Sequence, residues 1–260
     1  MGAQIISACI VMDLRKKGVL VESDLKYFEG KRHINCGKKN QGLSRFPWQL
    51  DCFGLSINTF ATNQSQIHRI SSIQDGSRKL ALFAEAIQSD EIRKLFNMNS
   101  PNFCQIGQKI FSKDSYICLH LRRGDYVSVA SHVIPIQDYA QPLSACVQIC
   151  KTIVVVSDSV ISDKVIKTIK SFGFKEVINF ASVSEVEAFW LMQNASMLIA
   201  ANSQFSFAAG MTSGKTFFMP HDWIKGKSIR DLAIKLLEND SQRVHRQMLT
   251  NNFILAGRTS

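Results

Sequence analysis

Thr152–Phe180 reads "TIVVVSDSVISDKVIKTIKSFGFKEVINF". A β-branched run ends abruptly at Ser157-Asp158. An amphipathic segment, "VISDKVIKTIKSFG", follows and is closed by Gly173, and "KEVINF" is again strand-like. Strand, helix and strand in about thirty residues describe a βαβ unit, which requires a parallel sheet covered by helices. The pattern continues downstream. "SEVEAFWLMQNAS" is a helix opened by a capping box, Ser184 followed three residues later by Glu187. "MLIAA" is a strand, "NSQFSFAAGMTSG" begins a helix, and "KTFFMP" is a last short strand. Upstream, "SYICLHL" supplies a further strand before "RRGDY".

In parallel sheets of this kind ligands bind beyond the carboxyl ends of the strands. Three such ends are polar: "HLRRGDY", "VVVSDS" and "LIAANSQFS". Alternation places Cys118, His120 and Arg122 on one face and Ile117, Leu119 and Leu121 on the other. Arg122 therefore emerges beside His120 at the mouth of the sheet. Its planar fork of donors suits a phosphate. Asn202, Ser203 and Ser206 stand where a helix starts, and the free N–H groups there favour an anion. Asp158 is placed to accept hydrogen bonds from a nucleobase or ribose. Plainer readings compete: an Arg122–Asp125 surface ion pair, Asn202 or Ser203 as an N-cap, and His120 as a core histidine. An Arg-Gly-Asp adhesion site next to a buried strand is improbable.

The 260 residues suit two compact lobes of about 100–150 residues or one large α/β unit. Residues 3–17 place Ile6, Cys9, Ile10 and Leu14 near one helical face, Gly18 stops the helix, and "VLVESDL" reads as a strand. Residues 26–76 are irregular and polar around the aromatic island "RFPWQLDCFGL", and residues 77–97 are helical in two pieces. The net charge of +10 comes from scattered basic residues without an aromatic-interleaved stripe. That favours a solvated face with a phosphate site over a nucleic-acid surface. Seven cysteines (9, 36, 52, 104, 118, 146 and 150) form no Cys-x-x-Cys pair, as expected of reduced thiols in the cytoplasm. Cys146 and Cys150 lie one helical turn apart but lack a second pair of metal ligands. There is no run of 18 apolar residues and no secretory signal.

The motifs, taken in order, resemble the α-1,2-fucosyltransferases of glycosyltransferase family 11. "HLRRGDY" is similar to the family's His-x-Arg-x-x-Asp signature, and "VVVSDS" to its Ser-Asp-Asp strand end. "EAFWLMQNASMLIAANSQFSFAAGM" resembles its third motif, and "MGAQIISACIVMDLRKKG" its opening loop and helix. The resemblance implies an α/β, GT-B-like architecture of two Rossmann-like lobes. Residues 1–112 would form the acceptor-side lobe, 113–226 the GDP-sugar-binding lobe, and 227–260 a helical tail. By this likeness Arg122 binds the β-phosphate and stabilises the departing GDP. His120 and Asp158 contact the nucleoside side, while Asn202, Ser203, Phe205 and Ser206 line the diphosphate and sugar. Gly2 and Gln4 of the opening loop and Arg123 complete the substrate-binding set. Asp125 is the candidate general base, unless it only orients Arg122 or the leaving phosphate takes the proton.

The implied reaction is inverting and metal-independent, with GDP-fucose as donor and a galactose-terminated oligosaccharide as acceptor, in surface polysaccharide synthesis. No cofactor and no nucleic acid is implied. The basic surface suits peripheral contact with an inner membrane from the cytoplasm; a eukaryotic, N-terminally shortened relative would belong to the Golgi membrane. Three departures from the family pattern stand out. "SDS" keeps one carboxylate, Phe207-Ala208 replaces a tryptophan pair beside the sugar, and Ala3 stands where the opening loop often has asparagine. The strand expected before that loop is missing, so a truncated or degenerate copy is expected. The alternatives are a non-catalytic GDP-sugar-binding homologue, a different fucosyl linkage or GDP-sugar, and a nucleic-acid-binding protein using the positive charge.

Overall fold

The computed structural model describes residues 1–19, 21, 48–60, 76–98, 110, 115–124, 133–180, 183–220 and 253–256. The chain divides into two compact units, Ala3–Phe96 together with Met1, and Asn97–Ser260 together with Gly2.

The first unit is helical among its described residues. Helix α1 spans Gly2–Lys16, ends with Arg15 and Lys16 in its last turn, and is followed by Gly18 at φ 77°. Basic side chains there complement the negative end of the helix dipole, and glycine adopts the left-handed conformation that stops it. Ile5, Ile6, Ala8, Cys9 and Ile10 are all buried, a wider apolar face than the expected stripe, whereas Leu14 is only half-covered. The Arg15 guanidinium donates to the carbonyls of Val21, Thr59 and Phe60. The aromatic island forms a short turn, Asp51–Phe53, closed by Gly54 at φ 70°. Its Trp48 donates to Leu55 O and packs on Phe60. Helices α2 (Gly76–Ala86) and α3 (Asp90–Leu95) are the two expected pieces. The expected strand "VLVESDL" lies, apart from Val19 and Val21, outside the described residues.

The second unit is built on one sheet. Strands β1 (Ile117–Leu121), β2 (Thr152–Ser157), β3 (Glu176–Phe180), β4 (Met197–Ile199) and β5 (Phe217–Pro220) are parallel. β6 (Phe253–Ala256) pairs antiparallel with β5, within the span expected as a helical tail. The spatial order is β3-β2-β1-β4-β5-β6. This is the doubly wound, Rossmann-like arrangement, whose connections change side between β1 and β4. β1 is buried at every position, and Ile153 through Val156 of β2 are equally enclosed. Strands without a wet face must be covered on both sides, and each of their buried Val, Ile and Leu side chains contributes about 1.5–3 kcal/mol.

Helices α4 (Ala140–Ile149) and α5 (Asp163–Ser171) cover one face. Their Leu143, Cys146, Val147 and Ile169 share a core with Ile117, Leu119, Leu121, Ile153 and Val155. Helices α6 (Glu185–Asn194) and α7 (Gln204–Ser213) belong to the other face. There Tyr116 donates to Leu191 O, and Gln193 of α6 donates to Thr212 of α7. The expected capping box is present at Ser184 and Glu187. α7 approaches β5 at Gly210, where a Cβ would stand 2.7 Å from the Phe217 ring.

Candidate active site at the carboxyl ends of the sheet

The strand register assembles the site. Leu121 pairs with Ser157, so Arg122 and Asp158 leave β1 and β2 side by side. Arg122 Nε lies 3.0 Å from Asp158 Oδ2, an ion pair without the alignment of a hydrogen bond. Both side chains are about three-quarters covered, 27% and 23% exposed. Asp158 Oδ1 accepts the backbone N–H groups of Arg123 at 2.6 Å and Gly124 at 2.8 Å. One carboxylate therefore caps the turn that follows β1 and touches the guanidinium that the turn carries. A Cβ on Gly124 would sit 2.7 Å from Oδ2, so glycine is needed for this approach.

On the other side of β1, Leu119 pairs with Ile199 of β4. The chain leaves β4 through Ala200–Ser203 into α7. Ser203 is the N-cap and accepts from Phe205 N; Ser206 is wholly enclosed. Its hydroxyl accepts from Ala201 N and faces the carbonyls of Ala201 and Ser203. Ser206 thus fixes the turn that presents Asn202 and Ser203. Among the described residues, Asn202 Oδ1 and His120 Nδ1 are buried without a hydrogen-bond partner. Such atoms cost about 1–3 kcal/mol each unless a ligand or water satisfies them. Both sit next to the place where the strand order reverses, at which doubly wound sheets hold their ligands.

His120 is 2% exposed and meets the Phe205 ring edge-on, centroids 6.0 Å apart. Phe205 in turn packs on Phe189. Burial pushes the His120 imidazole down to about 4; Asp158 opposes the shift and Arg122 adds to it. The ring is therefore neutral near pH 7. Positive charge at the strand tips rests on the two arginines, with the α7 N-terminus adding its partial charge. Guanidinium and helix N-terminus flanking β1 form a set of donors suited to a diphosphate.

His120, Arg122, Arg123, Asp158, Asn202, Ser203, Phe205 and Ser206 are thus gathered around the ends of β1, β2 and β4. The plainer readings of His120 as a buried core residue and of Ser203 as an N-cap hold as well. Arg122 pairs with Asp158, a contact not expected from the sequence; the expected partner, Asp125, lies outside the described residues. Gly2 opens α1, and Gln4 accepts from Gln49 N at 3.0 Å. Cys146 is buried in the α4 core, while Cys150 Sγ contacts Ser115. Among the described residues, no three His, Cys, Asp or Glu side chains converge as a metal cluster would. Nor is any described helix long and apolar enough to cross a membrane. Sequence reasoning missed the role of Gly124. Its φ is not in the left-handed region, so only the neighbouring carboxylate reveals the constraint.

The second unit is, by its strand order, a Rossmann-like α/β lobe with polar side chains at the carboxyl ends of its strands. The family model "Glycosyl transferase family 11" matches residues 82–225, more than half of the chain, and the protein belongs to that family. Membership points to a glycosyltransferase of the fucosyltransferase kind, acting between a nucleotide-sugar donor and a glycan acceptor. No curated protein matches the chain.

Proposed function

We propose that the protein transfers L-fucose from GDP-β-L-fucose to a galactoside-type acceptor in an inverting, metal-independent reaction that gives an α-1,2 linkage in surface polysaccharide. In a GT-B-like division of labour the second unit holds the donor and the first serves the acceptor. The observation that carries this reading is Arg122, held at the carboxyl end of β1 between Asp158 and the strand that feeds α7. During transfer the bond from fucose C1 to the β-phosphate oxygen breaks, and its electron pair stays on GDP. The acceptor oxygen bonds C1 from the opposite face and its proton passes to a base, for which Asp125 or the leaving phosphate is available. Negative charge grows on the phosphate as the sugar becomes oxocarbenium-like. A guanidinium fixed in advance answers that charge without reorganising.

Arg122→Ala should lower turnover about 10²–10³-fold, or about 3–4 kcal/mol. GDP release measured with a panel of galactosides reads this, and circular dichroism should show an unchanged fold. Near-normal turnover in the variant would remove Arg122 from the reaction.

A further inference from the structure

We propose that Asp158 is the positioning residue for Arg122, not a ligand of the nucleoside; this rests on the function proposed above. An ionised carboxylate offers about four acceptor sites. Oδ1 is committed to the two short backbone contacts from Arg123 and Gly124, and Oδ2 is paired in charge with Arg122 Nε at 3.0 Å, on the side where a Cβ at Gly124 would collide with it. Its measurable commitments all point back into the chain, at the turn that carries Arg122.

A free arginine side chain samples many rotamers and loses that entropy when it is fixed. Fixing both the turn and the Nε edge removes much of that freedom before a donor arrives, which preorganises the site. The clamp has a cost that makes the proposal testable by sign. A carboxylate close to a diphosphate repels it, so a carboxylate with no positioning role would bind GDP better once neutralised. A positioning carboxylate gives the opposite result. Gly124 belongs to the same device, because only a residue without Cβ lets the turn close on Oδ2.

The test is isothermal titration of GDP and of guanosine into the full chain, its Asp158→Asn, Gly124→Ala and Arg122→Ala variants, and the Asp158→Asn/Arg122→Ala double variant. Asp158→Asn should weaken GDP about ten- to a hundredfold while leaving guanosine unchanged. Gly124→Ala, which alters no charge and no N–H, should reproduce that phosphate-specific loss. The double variant should bind GDP no more weakly than Arg122→Ala alone, because both changes remove one unit. Parallel weakening of guanosine, additive losses in the double variant, or tighter GDP binding by Asp158→Asn would each overturn the proposal. Failure of the unaltered protein to bind GDP would instead sink the donor assignment, and the positioning role with it. Binding that is intact in the unaltered protein and equal in the variants sinks the positioning role alone.

Discussion

Replacing His120 by leucine gives a pH experiment whose size follows from burial. The imidazole is held at about 4 against an ordinary value of 6.5, with burial as the main cause. A group whose folded value is depressed stabilises the protein fully above its unfolded value. That contribution is lost as pH falls through the folded one. The window here runs from 6.5 down to about 4. Within it the unfolded chain takes up a proton at this site that the folded chain refuses. At 1.36 kcal/mol per pH unit, the loss across the window is about 3 kcal/mol. Urea unfolding followed by tryptophan fluorescence, from about pH 7.5 to about pH 4.5, measures it in both proteins. The other histidines are common to both, so the difference between the two curves isolates His120. The unaltered protein should lose stability faster on acidification, by up to about one proton's slope. Parallel curves would mean that the folded imidazole titrates normally, and the neutral, enclosed ring described above would be wrong.

Three further outcomes follow from packing and from the reaction. Gly210→Ala gains about 1 kcal/mol of helix propensity but overpacks against Phe217, which is 1% exposed and backed by Phe207. Overpacking costs about 1–3 kcal/mol, so the net loss centres on about 1 kcal/mol and a fall in Tm of about 2–4 °C is expected; a rise would show that the ring yields freely. Ser206→Ala deprives Ala201 N of its side-chain acceptor, and the urea midpoint should fall by the equivalent of about 1–3 kcal/mol. Addition of EDTA should leave the fucosyl-transfer rate unchanged, and strong inhibition reversed by a divalent cation would replace Arg122 as the main phosphate partner.

The parts of the fold written plainly in the sequence are those where one local rule suffices. The Ser184–Glu187 box opens α6, Gly173 at φ 98° closes α5, and the apolar run of β2 admits no solvent face. Helix α4 also carries a local signal: Leu143, Cys146 and Val147 have helical spacing, with Pro142 in the first turn. The β-branched run that follows at once masks that signal. Strand order is a different kind of fact. Nothing in "SYICLHL" says that β1 lies between β2 and β4, because the sheet order depends on which helices cover which face. Without that order Arg122 and Asp158 are two charges 36 positions apart; with it they are neighbours.

Two of the departures from the expected motif pattern have a definite structural setting. Where two tryptophans are expected beside the sugar, Phe207 and Ala208 are 4% and 0% exposed, and Phe207 packs edge-on to Phe217. Phe207 thus packs where α7 meets β5, and Ala208 beside it is enclosed. At "SDS" the carboxylate retained is the one that grips the turn after β1, while Ser159 N–H turns back to the Ser157 hydroxyl. A chain that kept only the second carboxylate would lose the backbone contacts to Arg123 and Gly124 and free the arginine. Of the two neighbouring positions, Asp158 makes the contacts that the proposed positioning role requires, and Ser159 makes none of them.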